Sequence, residues 1–447
     1  MRLFVAFLSA DNDALYGITK RMTVPFDALV CFIVFAVVLV FQTIFKRNQM
    51  SPGALYILII IGTLGISFLN LMPAMTPFKP FTWITIVGSS ISFIVGTIIV
   101  RIYFYSQGII LPRFSIDRDA VVEIFARYNW RRHLKITASL IVLYGIAVVR
   151  FLFKYDAPTI FSKSMLNIVG KAGIDIGYLY LPLVTYPLLL MLILPCTSIH
   201  TKLPKWWRVL CKILFLAMLL IGFSFWPARG ALMTFFIFAV AYYNAVVRRI
   251  QIRHFMLLGV GIIIMFILVA NLKKQIDSTM PDSKIWKLPY SYIANNYWNL
   301  DYAINPPSDR ELHPLTWGHQ TLGGFLGLEF WPDWMSIRTA YHWDGLFNER
   351  VEKVRYLNTN GYWWRLYKDY WVFGTMVFPF FGGLWQGWMY NRVRFSPDLP
   401  FVLVYAYMTV FIVLSFFCDF WGMGTAPIYL LGLWVISKTC ATPAQLK

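Results

Sequence analysis

The chain has 447 residues, 58% of them hydrophobic and only 14% charged, with a mean hydropathy of +0.60. A soluble globular chain runs about 45–50% apolar and roughly 25% charged, so these proportions exclude a soluble enzyme. The net charge of +19 sits mostly in short connections between apolar runs, not on a basic aromatic-rich soluble face, which argues against a nucleic-acid binder.

Apolar runs of about 20 residues, enough to cross a hydrocarbon core ~30 Å thick, recur along nearly the whole chain. The expected fold is therefore an all-α polytopic integral membrane protein. At the N-terminus, Leu3 to Leu8 after Arg2 resembles the start of a signal peptide, but this apolar core is shorter than the usual ~7–15 residues and reads as uncleaved. Asp11-Asn12-Asp13 follows, a D-x-D triplet just ahead of the first apolar run. The predicted spans are 26–45, 52–72, 81–105, 134–153, 174–196, 209–226, 231–247, 255–272, 370–389, 401–417 and 422–436. That is about eleven spans, with ten to twelve allowed by loose boundaries.

Alternate connections differ in basic content. One side carries Lys46, Arg47, Arg113, Arg118, Arg127, Arg131, Arg132, Lys135, Lys202, Lys205, Arg208, Arg248, Arg249, Arg253, Arg392 and Arg394, and is predicted to be cytoplasmic. The N-terminus then lies outside and the C-terminus inside. The longest cytoplasmic connection, 106–133, is too short for a nucleotide-binding domain, and neither a phosphate-binding Gly-rich loop nor a dinucleotide fingerprint is present. Within it, Asp117-Arg118-Asp119 reads as a solvated helix start.

The layout divides the chain into a transmembrane bundle of about eight spans (1–272), a hydrophilic segment on the outer side (273–369) and about three C-terminal spans (370–447). The 97-residue middle segment, expected to contain short helices, holds eleven of the 21 acidic residues and eight of the 18 tryptophans. Such aromatics either anchor the chain at the membrane interface or stack on sugars, whose hydroxyls carboxylates and amides would bond. The five cysteines form no C-x-x-C, and no His or carboxylate cluster has metal-ligand spacing, so neither metal nor cofactor is expected.

Ionisable residues at span ends are Arg101, Arg150, Asp175, Lys212, Arg229 and Asp419. Arg101 and Lys212 are near cytoplasmic ends and can snorkel, whereas Arg150, Asp175, Arg229 and Asp419 are near outer ends. Arg229 lies in the tight turn Trp226-Pro227-Ala228-Arg229-Gly230, where a guanidinium can bind a diphosphate bidentately. The hydrophilic segment ends on Asn358-Thr359-Asn360-Gly361-Tyr362-Trp363-Trp364-Arg365, then Asp369, and leads into Pro379-Phe380-Phe381-Gly382-Gly383.

This stretch resembles the end of the large periplasmic loop in oligosaccharide repeat-unit polymerases, the Wzy-type O-antigen polymerases. The Ala228-Arg229-Gly230 turn is similar to that family's Ser-Arg-Gly turn, and Arg350 to Gly361 fits its Arg-x10-Gly spacing. The resemblance implies a glycosyltransferase in the bacterial inner membrane, with the large loop periplasmic. Its substrate would be undecaprenyl-diphosphate-linked oligosaccharide, with a chain-length regulator and a flippase as protein partners. Arg229 would stabilise the diphosphate leaving group, helped by Arg150, Arg350 and Arg365, with Asn358, Asn360 and Trp363 binding substrate. A base must take the acceptor proton. His313, His319, Glu329, Asp333, His342, Asp344 and Asp369 are candidates, with His319 best placed by its neighbours and Asp369 equally suited to cap the next helix. The rivals are an O-antigen ligase using the same donor and a polysaccharide transporter or flippase.

Overall fold

The computed structural model describes residues 26–44, 50–69, 78–109, 118–154, 185–225, 229–247, 250, 287–305, 321, 361–416 and 425–441. Among these, all regular structure is helical: α1 Phe26–Ile44, α2 Pro52–Ser67, α3 Pro80–Ser106, α4 Arg118–Arg127, α5 Trp130–Lys154, α6 Tyr186–Cys196, α7 Lys205–Phe225, α8 Arg229–Val246, α9 Lys287–Ile304, α10 Tyr362–Phe395, α11 Leu399–Val413 and α12 Thr425–Cys440. Proline sits in the first turn of α2, α3, α6 and α11, where its missing N–H costs nothing and its fixed φ suits the helix. Asp398 caps α11 by accepting from the Phe401 N–H at 3.0 Å. Asp119 stands exposed in the first turn of α4, as expected of a solvated helix start.

Among the described residues, two helices, α3 and α5, are long and apolar enough to cross a membrane by length and composition, and six shorter apolar helices accompany them. Ile84, Ile91, Ile98 and Ile102 on α3, and Val142, Ile146, Val149 and Phe153 on α5, remain exposed. In water such stripes would be costly. At the centre, α11 is buried on nearly all sides, from Leu399 to Ile412, consistent with a sequence that carries no charged or amide side chain to turn outward.

The α3·α10 pair makes the most extensive contact, and two glycines set its spacing. A Cβ on Gly383 would lie 2.1 Å from the Phe93 carbonyl oxygen, and one on Gly96 would lie 2.3 Å from the Phe380 carbonyl oxygen. Backbones can come this close only where side chains are absent, which maximises dispersion contact between apolar helices.

Side-chain contacts fix the running directions. Gly88 meets Met376, and Gly387 meets Thr97, so α3 and α10 run parallel. In contrast α2 is antiparallel to α3, with Tyr56 on Phe93 and Phe68 on Trp83. Tyr144 on Tyr186 and His133 on the Leu192 carbonyl make α5 and α6 antiparallel. Trp388 on Phe401 and Trp385 on Met408 do the same for α10 and α11, as do Phe401 on Trp434 and Tyr407 on Tyr429 for α11 and α12. The bundle thus has an upper end, where α3 begins, and a lower end, where it finishes.

Candidate functional site at the upper end

Helix α9 comes from the hydrophilic segment, yet it packs into the upper end of the bundle. Tyr290 donates to the Ser67 carbonyl at 2.9 Å, and Tyr297 Oη lies 2.7 Å from Thr63 Oγ1. Asp301, only 8% exposed, is held by three donors through Oδ1: Thr82 Oγ1 at 2.6 Å, the Lys79 N–H at 3.1 Å and Asn305 Nδ2 at 3.2 Å. Burying a carboxylate is costly unless donors replace water, and these donors belong to the start of α3 and the end of α9.

Beside α9, the first part of α10 folds back on itself. Tyr362 Oη lies 2.6 Å from Ser89 Oγ, while a Cβ on neighbouring Gly88 would lie 2.7 Å from Met376 Cε. In a straight helix those fourteen residues would span about 21 Å. The reversal occurs at Tyr370 and Trp371, where φ is −140° and 57°, the latter a left-handed conformation that costs a bulky residue about 1–3 kcal/mol. Gly374 makes the return possible, since a Cβ there would lie 2.7 Å from the Leu366 carbonyl oxygen.

Trp363, fully buried, donates from its indole N–H to Ser89 Oγ at 2.7 Å, and Tyr56 and Tyr362 share a hydrogen bond. Asp369, also fully buried, accepts from the Thr321 N–H at 2.6 Å. It lies just before the break at Tyr370 and Trp371, and its bond to Thr321 ties another part of the hydrophilic segment to this arm. Lys368 places Nζ 4.3 Å from the Trp364 ring centroid. Burial lowers this ammonium to about 8, while the adjacent Asp369 carboxylate acts in the opposite direction. Burial also pushes the Tyr297 phenol upward.

The other residues singled out in the sequence are placed as follows. Arg229 opens α8 at the upper end, Arg150 is exposed near the upper end of α5, and Arg365 is half-buried in the folded-back arm of α10. His319, Arg350, Asn358 and Asn360 lie outside the described residues. Among the described residues, no group of three or more His, Cys, Asp or Glu comes together to hold a metal. Asp301 was not among the sequence candidates, because its binding partner Thr82 is 219 positions away and no local pattern links the two.

Chemically, the upper end combines two buried carboxylates that can accept protons or hydroxyl bonds, cationic side chains, and a chain of aromatic rings. Compared with family models, curated proteins and solved structures, the chain gives no match in any of the three.

Proposed function

We propose that the protein is a membrane glycosyltransferase that polymerises undecaprenyl-diphosphate-linked oligosaccharide repeat units at the periplasmic face of the bacterial inner membrane. One observation carries the reading. Asp301 on α9, and Trp363 and Asp369 some sixty positions later on the first arm of α10, meet the bundle at the end where Arg229 opens α8 and Arg150 lies near the end of α5. The alternation of helix directions supports about eleven spans, and basic residues concentrated toward the lower end, including Lys202, Lys205, Arg208, Arg392 and Arg394, support a cytoplasmic lower face. The N-terminus is then periplasmic and the C-terminus cytoplasmic.

With no room for a nucleotide-sugar domain, the donor at the outer face must be lipid-linked. Negative charge builds on the diphosphate as its bond to the sugar breaks, and a guanidinium already in place stabilises that charge. Arg229 takes this role, assisted by Arg150, Arg350 and Arg365. The acceptor hydroxyl gives up its proton to a carboxylate or histidine, with Asp369 and His319 as the candidates. Asn358 and Asn360 complete the substrate contacts inferred from the family resemblance, while Trp363, the third residue that resemblance names, is buried on Ser89 and anchors the folded-back arm of α10.

The test is deletion in the native host, complemented with wild type or Arg229→Ala, followed by gel analysis of surface glycan. A null strain bearing core plus a single repeat unit, reproduced by Arg229→Ala at normal protein level, is the expected outcome. Accumulation of full-length polymer on the lipid carrier would instead identify a ligase, and unchanged glycan would remove the transferase reading altogether.

A further inference from the structure

We propose that the aromatic face formed by Trp83, Phe78 and Trp298, together with Asp301 and Asn305, is a saccharide subsite that takes the acceptor sugar. The assignment of the sugar as acceptor rests on the polymerase reading, whereas the subsite itself stands on the geometry. The rings pack together at the upper end: Phe68 stacks on Trp83 at 5.2 Å, and Phe78, itself buried, meets Trp83 edge-on at 6.1 Å and Trp298 edge-on at 5.6 Å. Trp83 and Trp298 are half-buried. Other tryptophans are more open: Trp206, Trp371 and Trp385 are each more than half exposed.

Polar groups line the same place. Among the described residues the hydrogen bonds to the Asp301 carboxylate all go to Oδ1, and a sugar hydroxyl would bond Oδ2. The Asn305 amide donates to Thr82 Oγ1 at 3.0 Å and to Asp301, and its oxygen would accept from a second hydroxyl. Trp298 adds an indole N–H that is buried and makes no hydrogen bond among the described residues, a state that calls for a partner. An aromatic patch flanked by acceptors and a donor suits a pyranose, with one face of C–H groups and an equatorial rim of hydroxyls.

The experiment uses the purified full-length protein in lipid nanodiscs. Saturation-transfer NMR is recorded with a panel of methyl glycosides of glucose, galactose, mannose, rhamnose and N-acetylglucosamine. The expected result is transfer to the C–H protons of at least one glycoside, weakened about tenfold by Trp298→Ala and restored in part by Trp298→Phe, with thermal unfolding confirming that each variant is folded. Asp301→Asn should reduce transfer while leaving the ring stacking intact. Transfer from no glycoside, or transfer indifferent to Trp298→Ala and Trp83→Ala in folded protein, would overturn the subsite. The gel assay of the deletion strain separates the two readings. Sugar contact with unchanged surface glycan would keep the subsite and remove the polymerase, and the reverse pattern would do the opposite.

Discussion

Asp369 and Lys368 are sequence neighbours with opposite problems. The Asp369 carboxylate is fully buried and accepts from the Thr321 N–H, so truncation leaves that donor stranded. Asp369→Ala should cost about 1.5–3 kcal/mol, as expected for a bond to a charged acceptor, read as a lower thermal midpoint in detergent. Asp369→Asn retains an acceptor oxygen and should recover most of that stability. If Asp369 is the base, the Asn variant folds but fails to lengthen the glycan; a normal ladder would leave Asp369 with a tethering role only. Lys368 is lowered by burial to about 8, below the ~10.4 of an unfolded lysine. Between those values the unfolded chain binds more protons than the folded one, so stability rises with pH from about 8 to about 10.4, and the full cost of the buried charge is present below pH 8. Lys368→Met should flatten that rise in a pH series of thermal unfolding.

Among the helices, the α3·α10 pair depends on glycines in a way that a paired substitution can isolate. Gly383→Leu must drive a side chain into the Phe93 carbonyl, against which even a Cβ would be 2.1 Å away, and should abolish accumulation of folded protein. Gly145 on α5 has nothing within 4 Å of its Cβ position, so Gly145→Ala should be neutral or stabilise by up to about 1 kcal/mol. Long apolar periodicity made several elements readable in advance. The predicted span 81–105 corresponds to α3 at Pro80–Ser106, and 134–153 to α5 at Trp130–Lys154. Elements whose helicity depends on tertiary packing were not readable. Helix α9 carries asparagines and Asp301 among its tyrosines, and α10 begins eight residues before its predicted span, at Tyr362. Hydropathy is low in both places, and the helices form because phenol and indole groups find partners on α2 and α3. The fold-back at Trp371 leaves no local signal, since a bulky residue with φ 57° is disfavoured by its own sequence. The arginines were legible as isolated charges at span ends, while Asp301 became a candidate only once α9 lay against α3.

The whole-molecule question is which end faces the periplasm, because the lipid-linked donor argument holds only if the upper end does. Lys154 closes α5 at the upper end and Lys205 opens α7 at the lower end, both exposed. Cys31, Cys196, Cys211 and Cys440 are buried, and replacing all five cysteines with serine gives a background for introduced thiols. In spheroplasts, a membrane-impermeant maleimide should label Lys154→Cys directly and Lys205→Cys only after lysis. The opposite pattern would put the carboxylates and aromatic rings of the upper end in the cytoplasm, where nucleotide-linked sugars are within reach. The polymerase reading would then fail at its first step, while the helix directions and the buried polar contacts would stand unchanged, since neither depends on which face is outside.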